Sequence, residues 1–257
     1  MDKNSTTNSM SPSTKSNYKG RLTLEVLLES YKEIFKEPEG LPPIRTHDHT
    51  ILMKEGAQLD NLRPYRYSRV QKDILEKMVK EMLESRIIQH SNNPFASLVV
   101  LVKKIDGSWR LCVDYKALNQ LTIKDKFPKP LVYELLEELV CATLFLKANL
   151  RSGYHHIRMT PQDVFKIAFQ THNGHYEFLV MPFRLTNTLA TFQTLINEVF
   201  WRHLRKFLLV FFYDILIYSH SMTKHLEHLQ IVFELLKRHQ LWLRAASVHL
   251  ASIKWNI

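Results

Sequence analysis

The stretch "LVFFYDILIYS", residues 209–219, decides how this chain is read. Two apolar runs, Leu208 to Phe212 and Ile215 to Ser219, flank Tyr213 and Asp214, and that pattern predicts a tight hairpin with one carboxylate at its tip. Asp is favoured at turns because its side chain bonds to nearby backbone, so Asp214 taken alone reads as a turn residue. The hairpin by itself leaves a chemical role open.

Working outward, helical spacing follows the hairpin, with Leu226, Leu229, Phe233 and Leu236 on one face of a segment from Thr223 to His239. It also precedes it, with Leu189, Phe192, Leu195, Ile196, Val199 and Phe200 between Asn187 and Leu204. Further upstream, "HHIRM", "KIAFQT" and "HYEFLVMPF" read as successive strands with a turn at "HNG", and Tyr133 to Leu139 reads as a short helix after the breaker "FPKP". "SLVVLVKK" and "WRLCVDY" are strands joined by "IDG", a hairpin with Lys103, Lys104 and Arg110 near its tip. A helix from about Gln71 to Ser85 and a short amphipathic helix from Leu22, stopped by Pro38 and Gly40, complete the pattern. Helices alternating with hairpins predict an α+β fold, with helices packed on one face of a mainly antiparallel sheet.

The chain has 257 residues, 45% of them hydrophobic, enough for one large domain or two interlocked subdomains. A formal charge of +10 favours an anionic partner, nucleic acid first. Cys112 and Cys141 form neither a disulfide framework nor a close metal-binding pair, which sets the expectation of no disulfide partner and an intracellular site. No apolar run approaches the ~20 residues needed to span a bilayer, so no membrane partner is expected. The polar residues 1–20 read as a disordered tail, and 21–59 as an N-terminal helix and connector.

Several long segments in a fixed order carry a resemblance: "SLVVLVKKIDGSWRLCVDYKALNQLTIKDKFPKP", "LRSGYHHIRMTPQD", "KIAFQTHNGHYEFLVMPFRLTN", "ATFQTLINEVF" and "DILIYSHSMTKHLEHLQIVFELLK". Together they resemble the reverse transcriptase of gypsy-type long-terminal-repeat retrotransposon Pol polyproteins, from about Leu24 to about Ser247. The resemblance implies a right-hand polymerase fold over 60–257. Fingers would be built from about 60–125 and 157–186, and a palm with a mainly antiparallel sheet from about 126–156 and 187–257. The family continues beyond "LWLRAASVHLAS" into a primer-holding turn and a thumb, so the expectation is a fold with the thumb missing.

What the resemblance implies for the hairpin is sharper. The family turn reads Phe-Asp-Asp-Ile-Leu and a preceding palm strand reads Lys-Leu-Asp-Leu, whereas this chain has "FYDIL" and "KANL". Asp214 is retained; Tyr213 and Asn149 stand at the other two catalytic positions. Two divalent cations about 3.5–4 Å apart need several anionic oxygens to offset their repulsion, and magnesium takes those oxygens from carboxylates and substrate phosphates. An amide and a phenol are neutral at working pH, so the implied Mg2+ cofactor would bind weakly at Asp214 or not at all, and polymerase activity is expected to be absent. The family also has Gly where this chain has Arg184 and Pro where it has Leu189, which would crowd the nucleotide pocket.

By the same resemblance, Lys103, Lys104, Arg110, Tyr154, Phe183 and Arg184 lie on the nucleotide side and Gln193 on the template and primer side. The implied partners are an RNA/DNA template-primer and deoxynucleotides. Plainer readings stand beside these: a solvated basic edge for the hairpin cations, a sheet aromatic for Tyr154, local packing for Phe183 and Gln193. His220, His225 and His228 near Glu227 read as a solvated or packed helix face rather than zinc ligands. The alternative to an inactive polymerase domain is a non-catalytic nucleic-acid-binding remnant that uses the basic cleft.

Overall fold

The structure is a computed structural model that describes residues 23–58, 65–126, 137–140, 142–151, 153–211, 213–244 and 249–252. The tail, the breaker at 127–130 and most of the helix expected over Tyr133 to Leu139 lie outside the described residues.

Two sheets organise the chain. The first takes β1 (Ile88–His90), β2 (Ser97–Lys103), β3 (Trp109–Asp114), β5 (Phe169–Gln170) and β6 (His175–Phe178), in the order β1-β6-β5-β2-β3. All its pairs are antiparallel except β2 with β5. The second takes β4 (Leu144–Asn149), β7 (Leu208–Phe211), β8 (Asp214–Ser219) and β9 (His249–Ser252), in the order β7-β8-β4-β9, antiparallel throughout. The expected α+β class with mainly antiparallel sheets holds. The helices are α1 (23–30), α2 (Arg69–Glu84), α3 (Lys116–Leu121), α4 (Thr188–Phe200) and α5 (Met222–Arg238). Ser68 opens α2 with a reciprocal capping box to Gln71, which satisfies two backbone donors at the helix start.

Side chains alternate across a strand, and in the second sheet that alternation separates core from surface. Leu146, Ala148 and Leu150 from the β4 segment, Ile215 and Ile217 from β8, and Leu208 and Val210 from β7 enter one large core with Leu229, Val232, Phe233 and Leu236 of α5 and Phe192, Ile196 and Phe200 of α4. On the opposite face Phe145, Leu209 and Tyr218 form only a small cluster with Ala142. Lys147, Asn149 and Asp214 belong to this thinly covered face. The N-terminal segment docks on α5, where Tyr31 and Phe35 meet Phe233 at ring-centroid distances of 5.7 and 6.2 Å. Leu243 N donates to Ile34 O at 2.7 Å, tying the segment to the chain beyond α5.

Some expected elements differ. "HHIRM" does not form a strand: Gly153–His156 is a turn of 3-10 helix, with single bridges at Arg158 and Met159. His156 is buried there, and its carbonyl accepts from Arg45 Nε at 3.2 Å, so tertiary contacts override the β-like pattern. "HYEFLVMPF" pairs only through Phe178 as a strand, and "KIAFQT" begins as the 3-10 turn Val164–Ile167. Asp214 is the first residue of β8 rather than part of the turn.

The histidines of α5 are structural. His225 is fully buried and its Nδ1 meets Ser219 Oγ at 3.0 Å, while His228 Nδ1 meets the same hydroxyl at 2.8 Å and its ring stacks on Phe207 at 3.9 Å. Burial holds His225 down at about 4, and holds His49, packed beside Thr191, at about 4 as well. An unfolded imidazole accepts its proton near pH 6.5, so the unfolded chain binds more protons than the folded one below that pH. Stability is therefore fully present above about pH 6.5 and is lost as pH falls toward about 4. Thermal midpoints measured across that window are expected to fall, and the fall is expected to shrink in a His225→Leu variant.

Candidate functional site

The pairing of β4 with β8 places Asn149 directly opposite Asp214. Residues opposite one another on one face of an antiparallel pair sit close enough for side chains to bond. Asn149 Nδ2 donates to Asp214 Oδ1 at 2.6 Å. Lys147 lies two residues before Asn149 and so on the same face, diagonal to Asp214, and its ammonium reaches Asp214 Oδ2 at 2.9 Å. Both carboxylate oxygens thus accept from side-chain donors, one of them cationic. The Lys147 and Asp214 side chains are 54% and 33% exposed, so the ion pair itself adds little to stability. Its weight is electrostatic: the single negative charge of the site already has a counter-ion.

Tyr213 occupies the turn between β7 and β8. Its carbonyl accepts from Leu150 N at 2.9 Å, and its ring stands edge-on to Tyr154 at 5.9 Å and 88°. Tyr154 also meets Phe183 at 5.0 Å and Phe192 at 5.9 Å, both edge-on. Burial raises the Tyr154 phenol above its ordinary range, with the neighbouring Tyr213 adding to the effect. Gly153 lets the chain pass close to this turn: a Cβ there would lie 3.3 Å from the Cβ of Tyr213, a tight contact. Tyr154, Phe183 and Tyr213 therefore form one aromatic wall, of which Phe183 is 44% and Tyr213 37% exposed.

A second group of residues shapes the loop before α4. Arg184 and Asn187 both adopt left-handed backbone, at φ 72° and 70°. Asn119 of α3 clamps this loop, donating from Nδ2 to Arg184 O at 2.7 Å and accepting from Thr186 N at 2.7 Å. Asn187 in turn accepts from Asp125 N and donates to Ile123 O, each at 2.8 Å. The clamp explains how an arginine is held in a conformation that only glycine adopts without cost.

Lys103, Lys104 and Arg110 are exposed on the β2–β3 hairpin of the first sheet, with Lys103 opposite Trp109 and Arg110 opposite Val102. The turn is set by Gly107 at φ 81° and by Asp106, whose Oδ1 accepts from Ser108 N and Oγ. Gln193 is buried in α4 and donates to Asn197 Oδ1 at 2.9 Å, a local bond along the helix. Lys147 and Asn119 are the residues that sequence reasoning missed. Strand alternation two positions before Asn149 carried the signal for Lys147; nothing local marked Asn119.

As a divalent-metal site, the donor set is poor. Among the described residues no three His, Cys, Asp or Glu side chains gather as metal ligands. A cation at Asp214 would have to displace the Lys147 ammonium and accept one carboxylate with an amide oxygen beside it. The residues present do not fit a two-metal centre.

Comparison with known proteins gives the chain its relatives. The family model described as reverse transcriptase (RNA-dependent DNA polymerase) matches residues 102–254. The retrovirus-related Pol polyprotein from transposon 297 of Drosophila melanogaster is 36% identical over 216 residues, covering 82% of this chain and 20% of that protein. An RNA-directed DNA polymerase homolog of Oenothera berteroana is 45% identical over 133 residues, covering 51% of this chain and 94% of that protein. Among solved structures, the foamy viral protease-reverse transcriptase in complex with an RNA/DNA hybrid superposes with a TM-score of 0.80 at 18% identity, covering 90% of this chain and 31% of that one. The chain thus spans about one-fifth of the length of the transposon polyprotein it matches.

Placing a carboxylate at position 149 should create metal dependence. Asn149→Asp replaces the 2.6 Å hydrogen bond with two facing carboxylates, expected to cost about 1–2 kcal/mol in chelator. Thermal melts with and without Mg2+ should show recovery in the variant and no Mg2+ response in the parent.

Proposed function

Because the chain belongs to the reverse transcriptase (RNA-dependent DNA polymerase) family, we propose that it is a retrotransposon reverse transcriptase domain by descent that binds nucleic acid and does not polymerise. The observation that carries this reading is Asp214, held between Asn149 Nδ2 and Lys147 Nζ. Family members use divalent ions for phosphoryl transfer, and the charge that would hold them is here reduced to one carboxylate with its own cation. Catalysis of phosphoryl transfer rests on positioning and electrostatic stabilisation, so losing the ions removes most of the rate enhancement.

The chain's remaining residues suit binding rather than chemistry. In this reading the first sheet serves as fingers and the second as palm. The hairpin cations Lys103, Lys104 and Arg110 meet phosphates by charge, which needs position but no metal. Tyr154, Phe183 and Tyr213 supply an exposed aromatic wall on which a base or sugar can pack. The +10 charge adds a sequence-independent attraction that weakens with salt. A foamy viral relative in fold is named as bound to an RNA/DNA hybrid, which supports template-primer as the partner class.

Magnesium-dependent primer extension on an RNA template tests the reading. The parent chain is expected to give no extended product, at least 10²-fold below the Asn149→Asp/Tyr213→Asp/Arg184→Gly variant, on the order of the loss when a principal electrostatic stabiliser is removed. Extension by the parent chain at the variant's rate overturns it.

A further inference from the structure

At the far end of α4 from the aromatic wall, the helix stops at the buried Phe200, and the next residue, Trp201, is 67% exposed. At a helical rise of about 1.5 Å per residue, Trp201 stands about 14 Å along the axis from Phe192, the residue of α4 that touches Tyr154. The chain then closes a tight turn. His203 N and Leu204 N both donate to Phe200 O, at 2.8 and 3.0 Å, Lys206 N donates to His203 O at 3.2 Å, and Arg205 N donates to Leu208 O at 2.9 Å. Phe207 underlies the turn, with His203 at 5.1 Å on one side and the stacked ring of His228 at 3.9 Å on the other. Backbone bonds and ring packing together make residues 201–206 a fixed platform.

What the platform presents is an indole among cations. The Arg202 guanidinium lies over the Trp201 ring at 5.3 Å. Arg202, Arg205 and Lys206 are all exposed, and Arg205 is engaged by Glu138, Nε to Oε1 at 2.8 Å. Among the described residues, neither Arg202 nor Lys206 takes part in an ion pair. Their field is felt by His203, whose imidazole is held below its ordinary range by burial and then by Lys206 and Arg202. A lone exposed apolar side chain needs no explanation. An exposed Trp set beside Arg does, because these two types are enriched at the centres of protein interfaces and carry much of their binding energy.

A carboxylate suits this set better than a nucleic-acid strand. Arg202 covers a face of the indole on which a base would stack, while its planar fork stays open to two carboxylate oxygens. Glu138 places a negative charge beside Arg205, where a track of phosphates would be repelled. We propose that the platform at the end of α4 docks an acidic peptide segment of a partner protein, with Arg202 and Lys206 receiving carboxylates and Trp201 packing on an apolar side chain between them. This docking needs neither a metal nor a nucleic acid, so it stands apart from the function proposed above.

The test is fluorescence anisotropy of the full chain with a labelled peptide in which Asp and Glu surround a central Leu-Phe pair. Two control peptides carry Asn and Gln for the acids, or Ser-Ser for the apolar pair. The parent is expected to bind the first peptide and to bind both controls more weakly. Trp201→Ala is expected to lose about 30-fold in affinity, the loss on truncating a central interface side chain. Arg202→Ala/Lys206→Ala is expected to lose affinity together with most of its salt dependence. These side chains are exposed, so both variants are expected to melt with the parent; if one melts lower, the other alone decides. No binding by the parent, or binding that the substitutions leave unchanged, overturns the proposal. It is also overturned if the substitutions weaken binding of a labelled single-stranded RNA and not of the peptide, which would make the platform a strand contact. Sedimentation of the chain alone gives the last check: self-association abolished by Trp201→Ala would make a second copy the occupant and overturn it too.

Discussion

The antiparallel register of β4 against β8, running from Leu144 opposite Ser219 to Asn149 opposite Asp214, is the constraint on which the rest of the structure depends. A one-residue slip would turn every side chain of a strand to the other face. In β8 that would take Ile215 and Ile217 out of the core they share with α4 and α5 and bring Asp214 into it; in β4 it would expel Leu146 and Ala148. Burial of the apolar set therefore fixes the register, and the register fixes which polar residues meet at the strand ends. The polar group is a consequence of packing on the reverse face of the same two strands.

Within that frame a small change of side chain redirects the chemistry. With a carboxylate at 149, two negative charges would face one another and require a cation between them. With an amide there, the same geometry closes a hydrogen bond, and Lys147 supplies the balancing charge from two residues away. In the proposed reading the fold has kept its polymerase-type frame because core packing is independent of the metal, while the site satisfies itself internally. The aromatic wall of Tyr154, Phe183 and Tyr213 and the basic hairpin are likewise independent of metal, which is why binding is the activity the remaining residues suit.

Much of this was legible in the sequence where periodicity was strong. The helices at Arg69–Glu84, Thr188–Phe200 and Met222–Arg238 and the hairpins at 97–114 and 208–219 follow from apolar spacing and from turn residues. The strand expected at "HHIRM", residues 155–159, does not form because its start belongs to the 3-10 turn Gly153–His156, where Arg45 holds the buried His156. Asp214, Asn149 and Tyr213 were readable as a set from the resemblance, since "FYDIL" departs from the family pattern at one letter and "KANL" at two. The Lys147 ion pair and the Asn119 clamp were not, because each depends on contacts between residues 65 to 67 positions apart. Arg184 was legible as a departure from glycine, but its left-handed backbone comes from the structure alone.

The central claim is that Lys147 and Asn149, rather than a divalent ion, satisfy Asp214. Manganese titration followed by electron paramagnetic resonance tests it most directly, because free and protein-bound Mn2+ differ in signal. The account predicts that the parent chain and its Asp214→Asn variant bind Mn2+ alike, with no site that depends on this carboxylate. A Mn2+ site present in the parent and lost in Asp214→Asn would contradict it.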